Sequence, residues 1–193
     1  MEKIEQLLAS KLQSVVSIPS EEWCHFRTML VHERIRKQEH YVRAGEEADS
    51  VGFVASGLFR LYYSTKEGDE YNKSFCGQGD WIASYSSLLL REPSFFSIQA
   101  LSDGELLTFR YRDYQTLYDR HPCWERLGRI IAERMFIQKE KRERELLLLP
   151  AEARYRLFSE QFGHVAEQIP QYHIASYLGI TPVALSRIRR RLT

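Results

Sequence analysis

The 193-residue sequence predicts an α+β fold, in which helices flank a run of short antiparallel strands and a long helix leads to a small helical C-terminal unit. Three observations carry this. Apolar residues recur at helical spacing over residues 2–16. Between Glu33 and Tyr111 the texture changes to short alternating runs, each closed by glycine or a charged turn. Helical spacing then returns, and from Cys123 to about Leu149 it persists far beyond the roughly three turns usual in a compact domain.

The elements follow in order. Ile4, Leu7, Leu8, Leu12 and Val15 line one face of a first helix. Pro19 and Ser20 open a second, short helix that holds Trp23, Phe26 and Leu30. Strands are expected at 34–42 before Ala44-Gly45-Glu46, at 51–54 before Ser56-Gly57, and at 58–64 before Lys66-Glu67-Gly68-Asp69. Further strands are expected at 71–75 before Gly77-Gln78-Gly79-Asp80, at 95–101 before Asp103-Gly104, and at 105–111. Such regular short strands predict an antiparallel barrel or sandwich. Tyr114, Leu117 and Tyr118 mark a short helix ending near His121-Pro122.

The long helix carries Trp124, Leu127, Ile130, Ile131, Met135 and Ile137, then a charge run over 139–145, then Leu146–Leu149 before Pro150. Its first half reads either as a parallel dimer seam or as a linker helix packed on its own barrel. A homodimer is the expectation, because helix-turn-helix proteins usually read two half-sites. A last block with Tyr155, Leu157, Phe158 and Phe162 is closed by Gly163. The expected units are therefore 1–121, a connecting or dimerisation helix over 122–149, and 150–193.

Hydrophobic residues make up 44% of the chain, enough for a core. The net charge of +1 says nothing about nucleic acid, but the C-terminal tip is strongly basic. No stretch is long and apolar enough to span a membrane, and the N-terminus lacks the layout of a signal peptide. Cys24, Cys76 and Cys123 are widely separated without a CxxC pair, so three reduced thiols in a cytoplasmic protein are expected. No Ser/His/Asp order, phosphate loop or metal spacing stands out, and catalysis is not expected.

The densest information lies at the end. Ile174, Ala175 and Leu178 can share a face of one helix, and Gly179 stands where a left-handed residue ends it. Thr181 offers an N-cap hydroxyl and Pro182 occupies the first helical position, where its missing N–H costs nothing. Leu185, Ile188 and Leu192 would pack back on the first helix. Ser186, Arg187, Arg189, Arg190 and Arg191 are left for other faces, with the charge that phosphates need and the donors that base edges need. This is a helix-turn-helix pattern, and double-stranded DNA is the expected partner.

The order of barrel, long helix and helix-turn-helix resembles the CRP/FNR family of bacterial transcription regulators across almost the whole chain. Two motifs carry the resemblance: Gly77-Gln78-Gly79-Asp80-Trp81-Ile82, and Ile174-Ala175-Ser176-Tyr177-Leu178-Gly179-Ile180-Thr181 with Leu185-Ser186-Arg187 beyond. It implies a cyclic-nucleotide-binding β-roll of jelly-roll type followed by a winged helix. RNA polymerase enters as a further partner on the same ground. By resemblance Ser186 and Arg187 face the groove, with Arg187 reading a base. Arg189, Arg190 and Arg191 meet phosphates, and Thr181 and Tyr172 assist. Many members carry a glutamate four residues before that arginine; Val183 stands here, so the familiar operator is not expected. The residues end at Thr193, directly after the reading helix, where members continue into a β-hairpin wing.

The resemblance also locates a ligand pocket around Trp81, Ala83, Ser84, Tyr85, Ser86, Ser87, Phe95 and Phe96. Members that bind cyclic AMP carry Gly-Glu after the turn and a later Arg-Ser that grips the cyclic phosphate. Here Ala83 and Ser84 follow the turn, Pro93 and Ser94 stand before Phe95, and Arg91 is out of register. Without a cation a buried phosphate is poorly compensated, so cyclic AMP is not expected to bind in the usual way. The pocket then either holds an unidentified small-molecule effector or is filled by its own side chains. No haem motif surrounds the histidines, and Cys76 reads more readily as a half-buried small residue than as a redox sensor. The rival to a DNA reader is a β-roll module that acts through protein partners.

Overall fold

The computed structural model describes residues 2–192. Eight strands form two antiparallel four-stranded sheets. The first sheet has the order β1 (Val31–Ile35), β8 (Gly104–Arg110), β3 (Ser50–Ser56), β6 (Trp81–Ile82). The second has the order β2 (His40–Val42), β7 (Ser97–Ala100), β4 (Phe59–Ser64), β5 (Glu70–Cys76). The expected run over 34–42 is two strands, because the chain reverses at Arg36–Glu39, where Gln38 adopts φ 72°. The two-residue strand β6 and the helix α3 (Tyr85–Leu90) lie in a segment with no readable period, and the sequence did not announce them.

Phe59, Leu61, Val54, Ile98, Ala100 and Leu106 fill the space between the sheets. The outer face of the first sheet is covered too. There Phe53, Leu107 and Phe109 meet Leu8 and Leu12 of α1 (Glu2–Gln13) and Phe26 of α2 (Ser20–Arg27). Tyr114 of α4 (Tyr111–Gln115) closes the same layer. Cover on both faces explains why Leu106 and Leu107 stand side by side in β8 instead of alternating with polar residues.

The long helix α5 runs over Pro122–Leu148. The His121 side chain accepts from the Cys123 N–H at 3.1 Å and Pro122 takes the first position, which starts the helix cleanly. Cys123, Trp124 and Leu127 are buried against the roll, and the Trp124 indole donates to Glu22 at 2.8 Å. The first two turns therefore pack on the chain's own roll, as the linker-helix reading has it. Met135, Phe136 and Ile137 further along are exposed. The helix ends where Pro150 forces Leu149 into an extended conformation. Then α6 (Ala151–Phe162), a short 3-10 turn at Ala166–Gln168, α7 (Gln171–Leu178) and α8 (Pro182–Leu192) complete the C-terminal unit.

Candidate nucleic-acid interface and ligand pocket

The joint between α7 and α8 is built from its local chemistry. Gly179 takes φ 66°, a left-handed conformation that costs a residue with a Cβ, and the Ile180 N–H returns to the Ala175 carbonyl at 3.0 Å. Thr181 Oγ1 accepts from the Ala184 N–H at 3.2 Å, capping α8 as its sequence suggests. Ile174, Ala175, Leu178 and Leu185 are buried together with Phe158 and Phe162 of α6. Leu192, expected to pack back, is 37% exposed.

The other face of α8 is open. Val183, Arg187, Arg190 and Arg191 recur at helical spacing on one exposed stripe, and Ser186 is exposed beside it. Arg189 is exposed as well and lines a groove of about 480 Å³ against α6 and the start of α7. The helix contains no acidic residue. Tyr172 is exposed on the first turn of α7, at the opposite end from the joint, and Thr181 is exposed at the joint itself. All seven residues that sequence reasoning assigned to DNA thus reach solvent on the C-terminal pair of helices.

Sequence reasoning missed how firmly this pair is held. Arg142 of α5 donates to the Tyr177 carbonyl and lies 3.7 Å from the centre of the Tyr177 ring. Arg154 of α6 donates to the Leu178 carbonyl at 3.0 Å. These arginines satisfy carbonyls that the end of α7 leaves unpaired. Helix α7 also lies on β5, the edge strand of the second sheet, where Phe75 enters the aromatic cluster of Phe158, Phe162 and Tyr177. Arg60 reaches from β4 to Glu70 at 2.5 Å, to Gln99 at 2.7 Å and to His173 Nδ1 at 3.2 Å. A clue lay in the sequence: Arg60 stands between Phe59 and Leu61, on the strand face turned away from the sandwich interior.

The segment read as a ligand pocket is closed upon itself. Ser84, Ser87, Ser94 and Ser97 are buried. Ser94 Oγ donates to the Phe96 carbonyl at 2.7 Å and shares a 2.8 Å bond with Ser84 Oγ. Ser87 Oγ accepts from the Ala48 N–H at 3.0 Å and donates to the Glu92 carbonyl, while Ser97 Oγ accepts from the Ala44 N–H at 3.0 Å. No cation is among their hydrogen-bond partners, and Arg91 is exposed at the end of α3. Trp81, with Ala83 and Tyr85, packs on the core cluster beneath the first sheet, and Phe96 is buried between the sheets. Ser86 points to solvent and Phe95 is 68% exposed. The turn that precedes this segment is tight: Gly79 has φ 86°, and the Asp80 carboxylate accepts from the Gly77 N–H at 2.9 Å. Cys76 beside it is buried, which pushes its thiol up to about 12, with Asp80 adding to the effect; a protonated thiol is a poor redox nucleophile.

Comparison with known proteins agrees with this architecture. Residues 32–121 match the family model of the cyclic nucleotide-binding domain. No curated protein sequence matches the chain. Among solved structures, FixK2 from Bradyrhizobium japonicum superposes with a TM-score of 0.73 at 20% identity, covering 84% of each chain. A CooA mutant from Carboxydothermus hydrogenoformans gives 0.69 at 18% identity, covering 86% of this chain and 78% of that one. The catabolite activator protein of Thermus thermophilus gives 0.58 at 24% identity, covering 94% and 86%.

Proposed function

With a cyclic nucleotide-binding domain over residues 32–121 and the overall fold of the CRP/FNR regulators, we propose that this protein is a DNA-binding transcription regulator whose sensor roll does not grip a cyclic nucleotide in the usual way. The observation that carries the reading is the exposed stripe of Val183, Arg187, Arg190 and Arg191 on a capped, acid-free helix. A guanidinium fork matches the O6 and N7 acceptors of guanine, and Arg187 is the best placed of the arginines to reach them in a major groove. Arg190 and Arg191 lie one turn further on, where phosphates flank a docked helix. Val183 can touch a thymine methyl but cannot accept a hydrogen bond from cytosine.

A second copy of the chain is the natural cover for the exposed Met135, Phe136 and Ile137 of α5, and two copies would present two reading helices to a palindromic site. The sensor reading rests on the serine cluster: its hydroxyls are already paired with main chain and with each other, and no guanidinium balances an incoming phosphate. The test is DNA binding to selected genomic fragments across a salt series. Affinity should fall steeply with salt as bound counterions are released, and a flat response would favour a module that acts through protein partners instead.

A further inference from the structure

The seam between α7 and the second sheet holds one side chain whose protonation state the geometry dictates. His173 is buried. Its Nδ1 lies 3.2 Å from the Arg60 guanidinium and 3.2 Å from the Asn72 side-chain amide. The same amide nitrogen is 3.4 Å from the His173 carbonyl, which identifies it as the NH2 end of Asn72. Two donors therefore converge on Nδ1, so this nitrogen must accept, and the ring is neutral with its proton on Nε2. A proton on Nδ1 would set an N–H against two donors and a positive ring beside a guanidinium.

The surroundings offer little relief. From β4 comes Arg60, lying 3.9 Å from the centre of the Tyr62 ring. From β5 comes the Glu70 carboxylate, already bonded to Arg60. From β7 comes neutral Gln99, which accepts from the same guanidinium. His40 of β2 bonds Tyr62 Oη at 2.9 Å, and burial lowers its own pKa. On α7 itself the Tyr172 ring lies tilted beside the His173 ring, with centroids 4.1 Å apart. Burial and then Arg60 depress His173 from 6.5 to about 4, with Glu70 opposing. The rest of the seam is Phe75 in its aromatic cluster and Ser176, whose hydroxyl accepts from the Asn72 N–H at 2.9 Å and donates to the Glu70 carbonyl at 2.8 Å.

We infer that this seam is a proton-released latch: neutral His173 holds the helix-turn-helix unit on the sensor sheet, and protonated His173 lets it go. The sign follows from linkage. A histidine depressed in the docked state supports docking above its free value and withdraws that support as the pH falls. The opening constant should rise about tenfold per pH unit between roughly 6.5 and roughly 4. That opening alters DNA engagement rests on the regulator reading; the latch itself does not.

The experiment follows hydrogen exchange of residues 70–76 and 171–178 in the full chain from pH 7.5 to pH 4, with X-ray scattering for the overall dimensions. Wild-type protein should lose protection along the seam, and expand, before the amides of β3 and β8 respond. His173→Gln keeps an acceptor without a titrating proton and should stay closed over the same range. Asn72→Asp, nearly isosteric, gives a protonated ring an acceptor and should also stay closed; it serves if the histidine variant fails to fold. The His173 ring resonance should titrate well below 6.5. A seam that stays protected in wild type to pH 4, joint opening of wild type and both variants, or a His173 titration at or above 6.5 would each overturn the latch. No DNA enters these measurements, so a latch that opens in a protein that binds no DNA refutes the regulator reading alone.

Discussion

The serine cluster beside α3 and the arginine stripe of α8 are the two places where a phosphate would be held by analogy with the fold, and they are built in opposite ways. The serines are buried, and their bonding capacity goes to the carbonyls of Glu92 and Phe96, the N–H groups of Ala44 and Ala48, and one another. Arg187, Arg190 and Arg191 of α8 face solvent, on a helix with no carboxylate of its own. An anion site needs donors and charge that the fold itself leaves unspent. By that measure the serine cluster has spent its donors, while Arg187, Arg190 and Arg191 keep theirs.

The largest effect should come from forcing charge into the closed site. Ser94→Arg places an unpaired guanidinium where the hydroxyl links Ser84 and Phe96. It should destabilise the roll by about 3–5 kcal/mol in chemical denaturation. Calorimetry should still detect no micromolar binding of cyclic AMP or cyclic GMP to the unmodified protein; such binding would show that the serine cluster opens. At the other site, Arg187→Ala should cost about 1–3 kcal/mol on a selected operator and relax the preference at one base pair, read by fluorescence anisotropy. Gly179→Ala strains the joint that aims the stripe and should lower stability by about 1–2 kcal/mol. Smallest should be Arg190→Ala, which weakens selected and random DNA alike and reduces the salt slope by about one. Equal losses on both DNA classes for Arg187→Ala and Arg190→Ala would remove the division of roles along the stripe.

Much of this was legible from residue types alone. Gly179, Thr181 and Pro182 spell out a left-handed helix end, a cap and a first helical position, and each of those choices depends only on neighbouring backbone. The alternating strands and their glycine turns were readable on the same ground, as was the long helix up to Pro150. What escaped was set by distant partners. The strand β6 and the helix α3 are too short to show a period. The first turns of α5 carry an apolar stripe that fits a second copy or the chain's own roll equally well, and only the position of Trp124 against Glu22 and Phe26 decides between them. The serines left a bound effector and a self-filled pocket equally open, because a sequence does not reveal which carbonyls fold back onto them.

By itself, then, the sequence determined the elements, the helix-turn-helix joint and the arginine face, since each depends on spacing, backbone preference and charge within a few residues. The tertiary structure decided that the serine cluster is self-satisfied, that the start of α5 belongs to the roll, and that Phe75, Arg60 and His173 tie the C-terminal helical unit to the sheet. Those contacts join residues up to 113 positions apart. Burial and hydrogen-bond pairing over such separations exist only once the chain has closed on itself.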